Sequence, residues 1–324
     1  MRIHVQTRPE DADFALTPAQ WHEAAARAGE PAHALSFGSS PADWEAVRGE
    51  VELLVGGTGA LRGLGRLRAP ALRAVFVAAA GVDGLAPFDW LPEGAMLLNN
   101  RGTHAAKAGE YIAMAVLMLA ARMPAMMTAQ REGQWRPAFT APMAGRRVTI
   151  VGTGDLGGAG ARTLRALGVS ATGVRTRAQP HPDFAGVAAV VDFDALLADT
   201  QFLVLACPLT PATRGLLDRR RIGLLPAGAS VVNIGRGALL DGDALCDALD
   251  AGALSGAVLD VFDPEPLPPG HRMWRTPNLV ITPHVSCDDP ASYNARSLDI
   301  LFANLRALRE GAMAPNRVDL TRGY

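Results

Sequence analysis

Lysine is nearly absent from this sequence. Lys107 is the only one, so 30 of the 31 Lys and Arg residues are arginine. A phosphate-binding loop ending in Gly-Lys-Ser/Thr is excluded, because Lys107 lies between Ala106 and Ala108. Schiff-base chemistry, which needs a lysine amine, is disfavoured as well. Cysteine is also scarce: Cys207, Cys246 and Cys287 show no CxxC spacing. That argues against a disulfide scaffold and a structural zinc site, and it fits a reducing cytoplasm. There is no excess of either charge. The net charge is -1, which removes the electrostatic footprint of a general nucleic-acid binder. Long apolar runs are missing too. The longest, Tyr111 to Ala121, falls short of the roughly 20 residues that cross a bilayer, and Met1–Val5 leads into no signal-peptide core. Charged residues make up 19% and hydrophobic residues 49%, the balance of a packed globular chain. A length of 324 residues suggests two or three domains.

What is present is an alternation. Ile3–Val5, Val51–Val55, Ala74–Val77 and Met96–Leu98 are short apolar segments bounded by polar residues, Gly or Pro, and read as buried strands. The spacing predicts helices between them, hence a parallel sheet covered by helices. His104 to Met123 reads as one long, nearly all-round apolar helix stopped by Pro124. A second alternation begins near Arg147. Strands are expected at Arg147–Val151, Val169–Val174, Phe202–Ala206, Ser230–Ile234, Ala257–Val261 and Leu279–Thr282. Helices are expected at Leu156–Leu167, Asp241–Ala251 and Pro290–Arg309. The run Pro264-Glu265-Pro266-Leu267-Pro268-Pro269 reads as a rigid loop.

Between the first strand and helix of this second set lies Gly152-Thr153-Gly154-Asp155-Leu156-Gly157. A strand, this turn and a helix are the context that dinucleotide binding requires. Gly152 permits the tight turn, Gly154 lets a pyrophosphate approach the backbone, and Gly157 lets helix and strand pack closely. An NAD-binding chain carries an acid at the end of the next strand, about 20 residues on. Here that end reads Val174-Arg175-Thr176-Arg177. An acid would repel a ribose 2′-phosphate, whereas arginine pairs with it bidentately. The sequence therefore predicts NADPH/NADP+ as the preferred cofactor, held by Arg175, Thr176 and Arg177, with NADH possible.

Three more strand ends carry candidate chemistry. Asn233-Ile234-Gly235-Arg236-Gly237 offers an arginine, Asp260-Val261-Phe262-Asp263-Pro264-Glu265 two acids, and Thr282-Pro283-His284 a histidine. In a parallel sheet these ends share one edge, so Arg236, Asp260, Glu265 and His284 can converge beside the cofactor. No metal site is expected.

With these segments in view, the chain resembles the D-isomer-specific 2-hydroxyacid dehydrogenases, especially their glyoxylate/hydroxypyruvate reductase branch. The likeness also covers Cys207-Pro208-Leu209-Thr210, Thr213-Arg214-Gly215, Ala80-Gly81-Val82-Asp83 and Asn99 to Glu110. It implies an α/β fold of two Rossmann-like or flavodoxin-like parallel-sheet domains with the active site in the cleft between them. The substrate domain would combine residues 1–99 with 285–324, and the dinucleotide domain would span 100–284. Hinges are expected near Asn99–Arg101 and Val285–Asp289. The implied reaction is NADP(H)-dependent reduction of a small 2-oxo acid to the D-2-hydroxy acid. Arg236 would clamp the substrate carboxylate and polarise its carbonyl. His284 would be the general acid. Glu265 would hold it protonated near neutral pH, because a neighbouring carboxylate favours the imidazolium. Asp260 would bind the nicotinamide carboxamide. Backbone amides of Ala80 and Gly81 would complete the carboxylate site. Further cofactor contacts are implied at Cys207, Pro208, Thr213, Ile234, Gly235 and Ser286. Cys207 reads as packing rather than nucleophile. The long apolar helix resembles the family's dimer-forming element, which implies a homodimer.

Some features depart from the family or narrow it. Arg175 replaces the usual NAD-selecting acid, and Ala105 stands where many members have threonine. Glu265 argues against a formate dehydrogenase, which typically carries glutamine there. The chain's end at residue 324 argues against the long, regulated phosphoglycerate dehydrogenases. Two alternatives stay open. One is reduction of a C=N bond in a 2-imino acid on the same scaffold, and the other is a dinucleotide-sensing binding protein or corepressor.

Overall fold

A computed structural model describes residues 1–10 and 15–324. The chain divides into two units: Met1–His104 with Asp288–Tyr324, and Ala105–Cys287.

The strands of the first unit are β1 (Arg2–Gln6), β2 (Ala34–Gly38), β3 (Leu53–Gly56), β4 (Ala74–Val77) and β5 (Met96–Leu98). They form a wholly parallel sheet in the order β2-β1-β3-β4-β5. α-Helices connect the first four strands, and the sequence starts two of them cleanly. Thr17 caps α1 (Pro18–Ala28) reciprocally with Gln20, and Ser40 does the same with Asp43 for α2 (Pro41–Val47). A short α3 (Thr58–Gly63) follows β3.

The second unit opens with α4 (Ala105–Ala120) and α5 (Met123–Arg131). Its strands are β6 (Val148–Val151), β7 (Ala171–Arg175), β8 (Gly186–Ala189), β9 (Phe202–Leu205), β10 (Ala229–Asn233), β11 (Leu254–Leu259) and β12 (Leu279–Ile281). All pair in parallel, in the order β12-β11-β10-β9-β6-β7-β8. The helices between them are α6 (Asp155–Ala166), α7 (Phe193–Leu197), α8 (Arg219–Ile222) and α9 (Gly242–Asp250). Alternation along β9 shows why both faces are covered. Leu203 and Leu205 join the core under α7 and α9, while Phe202 and Val204 join the core under α4 and α6. The chain then returns to the first unit as α10 (Tyr293–Arg309). Phe302 on α10 meets Trp21 on α1 edge to face at 5.2 Å, over Ile3, Val5 and Phe76.

The two-sheet α/β architecture expected from the sequence is found. The single helix expected from His104 to Met123 is not. Arg122 takes a left-handed φ of 54° and Pro124 lies in the first turn of α5, with a bend of 65° between the helices. Proline breaks helix interiors but suits a helix start, so it begins a helix here instead of ending one. Among the described residues, no single helix is long and apolar enough to cross a membrane. Two strands were not expected: β2 and β8. Both are edge strands, half-exposed and rich in small or polar residues, so neither shows the apolar run that marked the others.

A fixed charge cluster joins the ends of α1 and α10. The side chain of Glu30 is fully shielded and takes bonds from Arg309 and from His33 Nε2 at 3.0 Å. Burial pushes its carboxyl up, but the bonds from Arg309 and His33 outweigh that and hold it below its ordinary value of 4.5. A lowered folded value means stability present above about pH 4.5 and lost as pH falls below it. Arg309→Met should therefore cost about 1–2 kcal/mol at pH 7, with the difference from wild type shrinking towards pH 3. Urea unfolding of both proteins across that pH range measures it. A constant difference would show that the pair carries no pH-linked stability.

Candidate functional site

In the second unit, six neighbouring strands end along one edge, and each end carries one of the singled-out residues. His284 follows β12, Asp260 and Glu265 follow β11, Arg236 follows β10, Cys207 follows β9, Gly152 follows β6, and Arg175 ends β7. Strand order reverses between β9 and β6, the place where open parallel sheets bind ligands.

The glycine turn at that reversal fits a dinucleotide. Gly152 has φ +99° and a β-carbon on it would lie 2.6 Å from the Ala206 carbonyl oxygen. A β-carbon on Gly157 would lie 1.9 Å from the Gly152 carbonyl oxygen. Gly154, at the N-terminus of α6, would meet nothing within 4 Å. The outer two glycines are thus forced by the fold, and the middle one faces open space where a phosphate can approach the helix end. Asp155 and Leu156 form the first turn of that helix. Arg175 is half-buried at the end of β7, and Thr176 and Arg177 are exposed just beyond it.

Arg236 is half-buried between two glycines that the fold also requires. A β-carbon on Gly235 would lie 2.9 Å from the Cys207 carbonyl oxygen, and one on Gly237 would lie 2.0 Å from the Phe262 carbonyl carbon. Buried Asn233 braces the turn, accepting from Gly235 N at 3.1 Å and donating to the Arg236 carbonyl at 2.9 Å. Arg236 itself donates from Nη1 to the Gly235 carbonyl at 2.8 Å. Ile234 is buried beneath.

The histidine and glutamate meet. His284 Nδ1 lies 2.8 Å from Glu265 Oε2, and Glu265 Oε1 accepts from Phe262 N at 2.7 Å. The glutamate is thereby fixed from its own loop, and it fixes the ring. His284 has a left-handed φ of 54°, an uncommon setting for a residue with a β-carbon. Its amide donates to the Asp260 carbonyl at 2.9 Å.

Asp260, the strand-end acid expected beside the nicotinamide, anchors the loop that carries His284. It is fully buried, with Oδ1 accepting from Thr282 Oγ1 at 2.5 Å and Val285 N at 2.9 Å, and Oδ2 from Ser286 N at 2.9 Å. Thr282 in turn lies 2.5 Å from the Tyr111 hydroxyl. The sequence reading missed Tyr111 and Thr282, since nothing in their spacing shows that α4 passes under this loop. The Thr213 hydroxyl serves its own loop, donating to the Pro208 carbonyl at 2.8 Å and accepting from Thr210 N at 2.7 Å. Burial pushes the Cys207 thiol up to about 12, which suits packing and not nucleophilic attack. Ser286 is buried with its hydroxyl 3.3 Å from Cys287 Sγ.

In the first unit, Ala80 and Gly81 follow β4. The Ala78, Ala79 and Ala80 carbonyls accept from the Tyr293 hydroxyl, Asn100 N and Asn99 Nδ2 at 2.8, 3.0 and 2.9 Å, which fixes the loop before Gly81.

Comparison with known proteins identifies the family. Residues 113–286 match the model of the D-isomer specific 2-hydroxyacid dehydrogenase NAD binding domain. Glyoxylate/hydroxypyruvate reductase A of Serratia proteamaculans is 33% identical over 262 residues, covering 78% of this chain and 82% of that protein. The NADPH-dependent glyoxylate/hydroxypyruvate reductase of Sinorhizobium meliloti, solved with NADP and sulfate, superposes with a TM-score of 0.82 at 27% identity, covering 100% of this chain and 99% of that one. A D-isomer specific 2-hydroxyacid dehydrogenase of Xanthobacter autotrophicus Py2, solved with NADPH and MES, gives 0.81 at 29% identity and covers 99% of both chains. The chain belongs to the D-isomer specific 2-hydroxyacid dehydrogenase family and is an NAD(P)-dependent oxidoreductase.

Proposed function

We propose that this protein reduces a small 2-oxo acid of the glyoxylate/hydroxypyruvate kind to the D-2-hydroxy acid, using NADPH in preference to NADH. The observation that carries the reading is the Glu265–His284 pair, whose members follow the two strands beside the one that Arg236 follows. Arg236 binds the substrate carboxylate, to which its planar guanidinium is matched, and draws charge from the neighbouring carbonyl. With Nδ1 held by Glu265, Nε2 of His284 is the atom that delivers a proton to the carbonyl oxygen. The Glu265 carboxylate orients the ring and sets which nitrogen is left for the substrate. The amides of Ala80 and Gly81 are proposed as further donors to substrate. The Gly152–Gly157 turn holds the pyrophosphate, Arg175, Thr176 and Arg177 the 2′-phosphate, and the bound dinucleotide supplies the hydride. Relatives named as glyoxylate/hydroxypyruvate reductases, one NADPH-dependent, support both substrate class and cofactor.

Initial rates with glyoxylate, hydroxypyruvate and bulkier 2-oxo acids, each with NADPH and NADH and with or without added amine, test the reading. Fast NADPH oxidation by small 2-oxo acids alone is expected. Activity only with amine, or NADPH binding without turnover, would overturn it.

The same protein is proposed to be a homodimer built on α4 and the segment after α5. Met114 and Leu117 on α4 are 43% and 41% exposed, and Trp135 and Phe139 beyond α5 are 96% and 94% exposed. These are large apolar side chains left to solvent on α4 and in the segment after α5, and a second copy would cover them. Light scattering should give twice the chain mass, and Leu117→Glu with Trp135→Ser should give the monomer. A wild-type monomer at micromolar concentration would sink the proposal.

A further inference from the structure

We propose that Tyr111 and Thr282 are positioning residues for His284, acting through the buried carboxylate of Asp260. The inference rests on the reading of His284 as proton donor. It starts from strain. A left-handed backbone at a residue with a β-carbon persists only where its surroundings fix it. Here the fixing group is Asp260. Its carbonyl takes the His284 amide at 2.9 Å, shared with the Thr282 carbonyl at 3.0 Å, and its carboxylate takes the next two amides, Val285 N and Ser286 N, each at 2.9 Å. Three successive amides on one buried residue define where the histidine sits.

The carboxylate needs an anchor of its own, because no bulk water reaches a side chain buried this deeply. Thr282 supplies it, and the direction of the chain follows from donor counting. The Thr282 hydroxyl has one proton, which goes to Asp260 Oδ1 at 2.5 Å. Its oxygen must therefore accept from Tyr111, also at 2.5 Å. Tyr111 is suited to donate permanently, since burial pushes its hydroxyl up to about 12. It is also on a fixed support. A β-carbon on Gly160 of α6 would lie 2.5 Å from Ile112 Cδ1 and one on Gly109 of α4 would lie 2.7 Å from Thr163 Oγ1, so α4 is seated directly on α6. The chain Tyr111–Thr282–Asp260 thus ties the histidine loop to the helix behind the sheet.

The test uses the full-length chain with Tyr111→Phe and Thr282→Val, each removing one hydroxyl at nearly constant volume. Two readouts apply. Loosening the donor by a fraction of an ångström should lower kcat about tenfold, leaving KM for the 2-oxo acid and NADPH affinity near wild type. In NMR spectra, the His284 imidazole signal, identified by its loss in His284→Ala, should move more than those of the other histidines among the seven in the chain. Thr282→Ser, which keeps the hydroxyl, should restore both. An unmoved His284 signal in both variants, or a kcat loss that Thr282→Ser fails to recover, would overturn the proposal. A wild-type chain that turns over no 2-oxo acid overturns the proposed function instead, and the NMR arm then decides the positioning role by itself.

Discussion

His284→Ala is expected to lower kcat by about 10²–10⁴-fold, the span over which a positioned general acid accelerates proton transfer. The estimate follows from what the ring does in the folded chain. Its Nδ1 is committed to Glu265 at 2.8 Å, and the glutamate is itself tethered to Phe262 N. The ring is half-exposed, so it serves no packing role whose loss would confound the result. NADPH affinity should survive, because the glycine turn lies four strands away along the sheet. Glu265→Gln keeps the geometry but removes the charge. It should give a smaller loss, because the ring keeps a partner at Nδ1 but loses the charge-assisted bond that holds it. Stopped-flow single turnovers separate the chemical step from product release. A near-wild-type single-turnover rate in His284→Ala would assign the proton to another group.

Much of this site was legible because parallel α/β sheets place function at strand ends. Arg236, Glu265 and His284 were each recognisable from a short motif ending an apolar segment, and strand order then put them side by side. The glycine turn was legible for a steric reason: Gly152 and Gly157 have no room for a β-carbon. What the sequence hid depends on distant elements packing together. Tyr111 and Thr282 are 171 positions apart and meet only because α4 packs on the sheet beside β10 and β11. Asp260 was legible as an acid at a strand end, but its bonds to Thr282, Val285 and Ser286 were not, because those partners lie beyond the next strand. The break after α4 was hidden in a different way. The apolar pattern runs on through Met123, and the left-handed turn at Arg122 has no residue signature of the kind glycine would give.

The second large effect concerns the cofactor. Arg175→Asp should weaken NADPH by about 10²–10³-fold and reverse the preference towards NADH. Removing one charge-assisted bidentate contact is worth about 1.5–3 kcal/mol, and an acid at the same place adds repulsion to a 2′-phosphate while offering hydrogen bonds to a 2′-hydroxyl. Arg175 ends β7, in register with Ala189 of β8, at the edge of the sheet that carries the glycine turn. The next acid along the chain, Asp183, does not offset it. That carboxylate is held by Arg162 Nη2 at 2.8 Å and Arg165 Nη2 at 3.7 Å, and the Arg162 bond and charge keep it below the ordinary carboxylate range despite some desolvation. In an arginine-rich chain a solvated Arg177 is unremarkable, and Arg177→Ala should cost much less than Arg175→Ala. Fluorescence titration with both dinucleotides measures each variant. Equal NADPH affinity in wild type and Arg175→Asp would show that β7 ends in a surface arginine and that selectivity is built elsewhere on the edge.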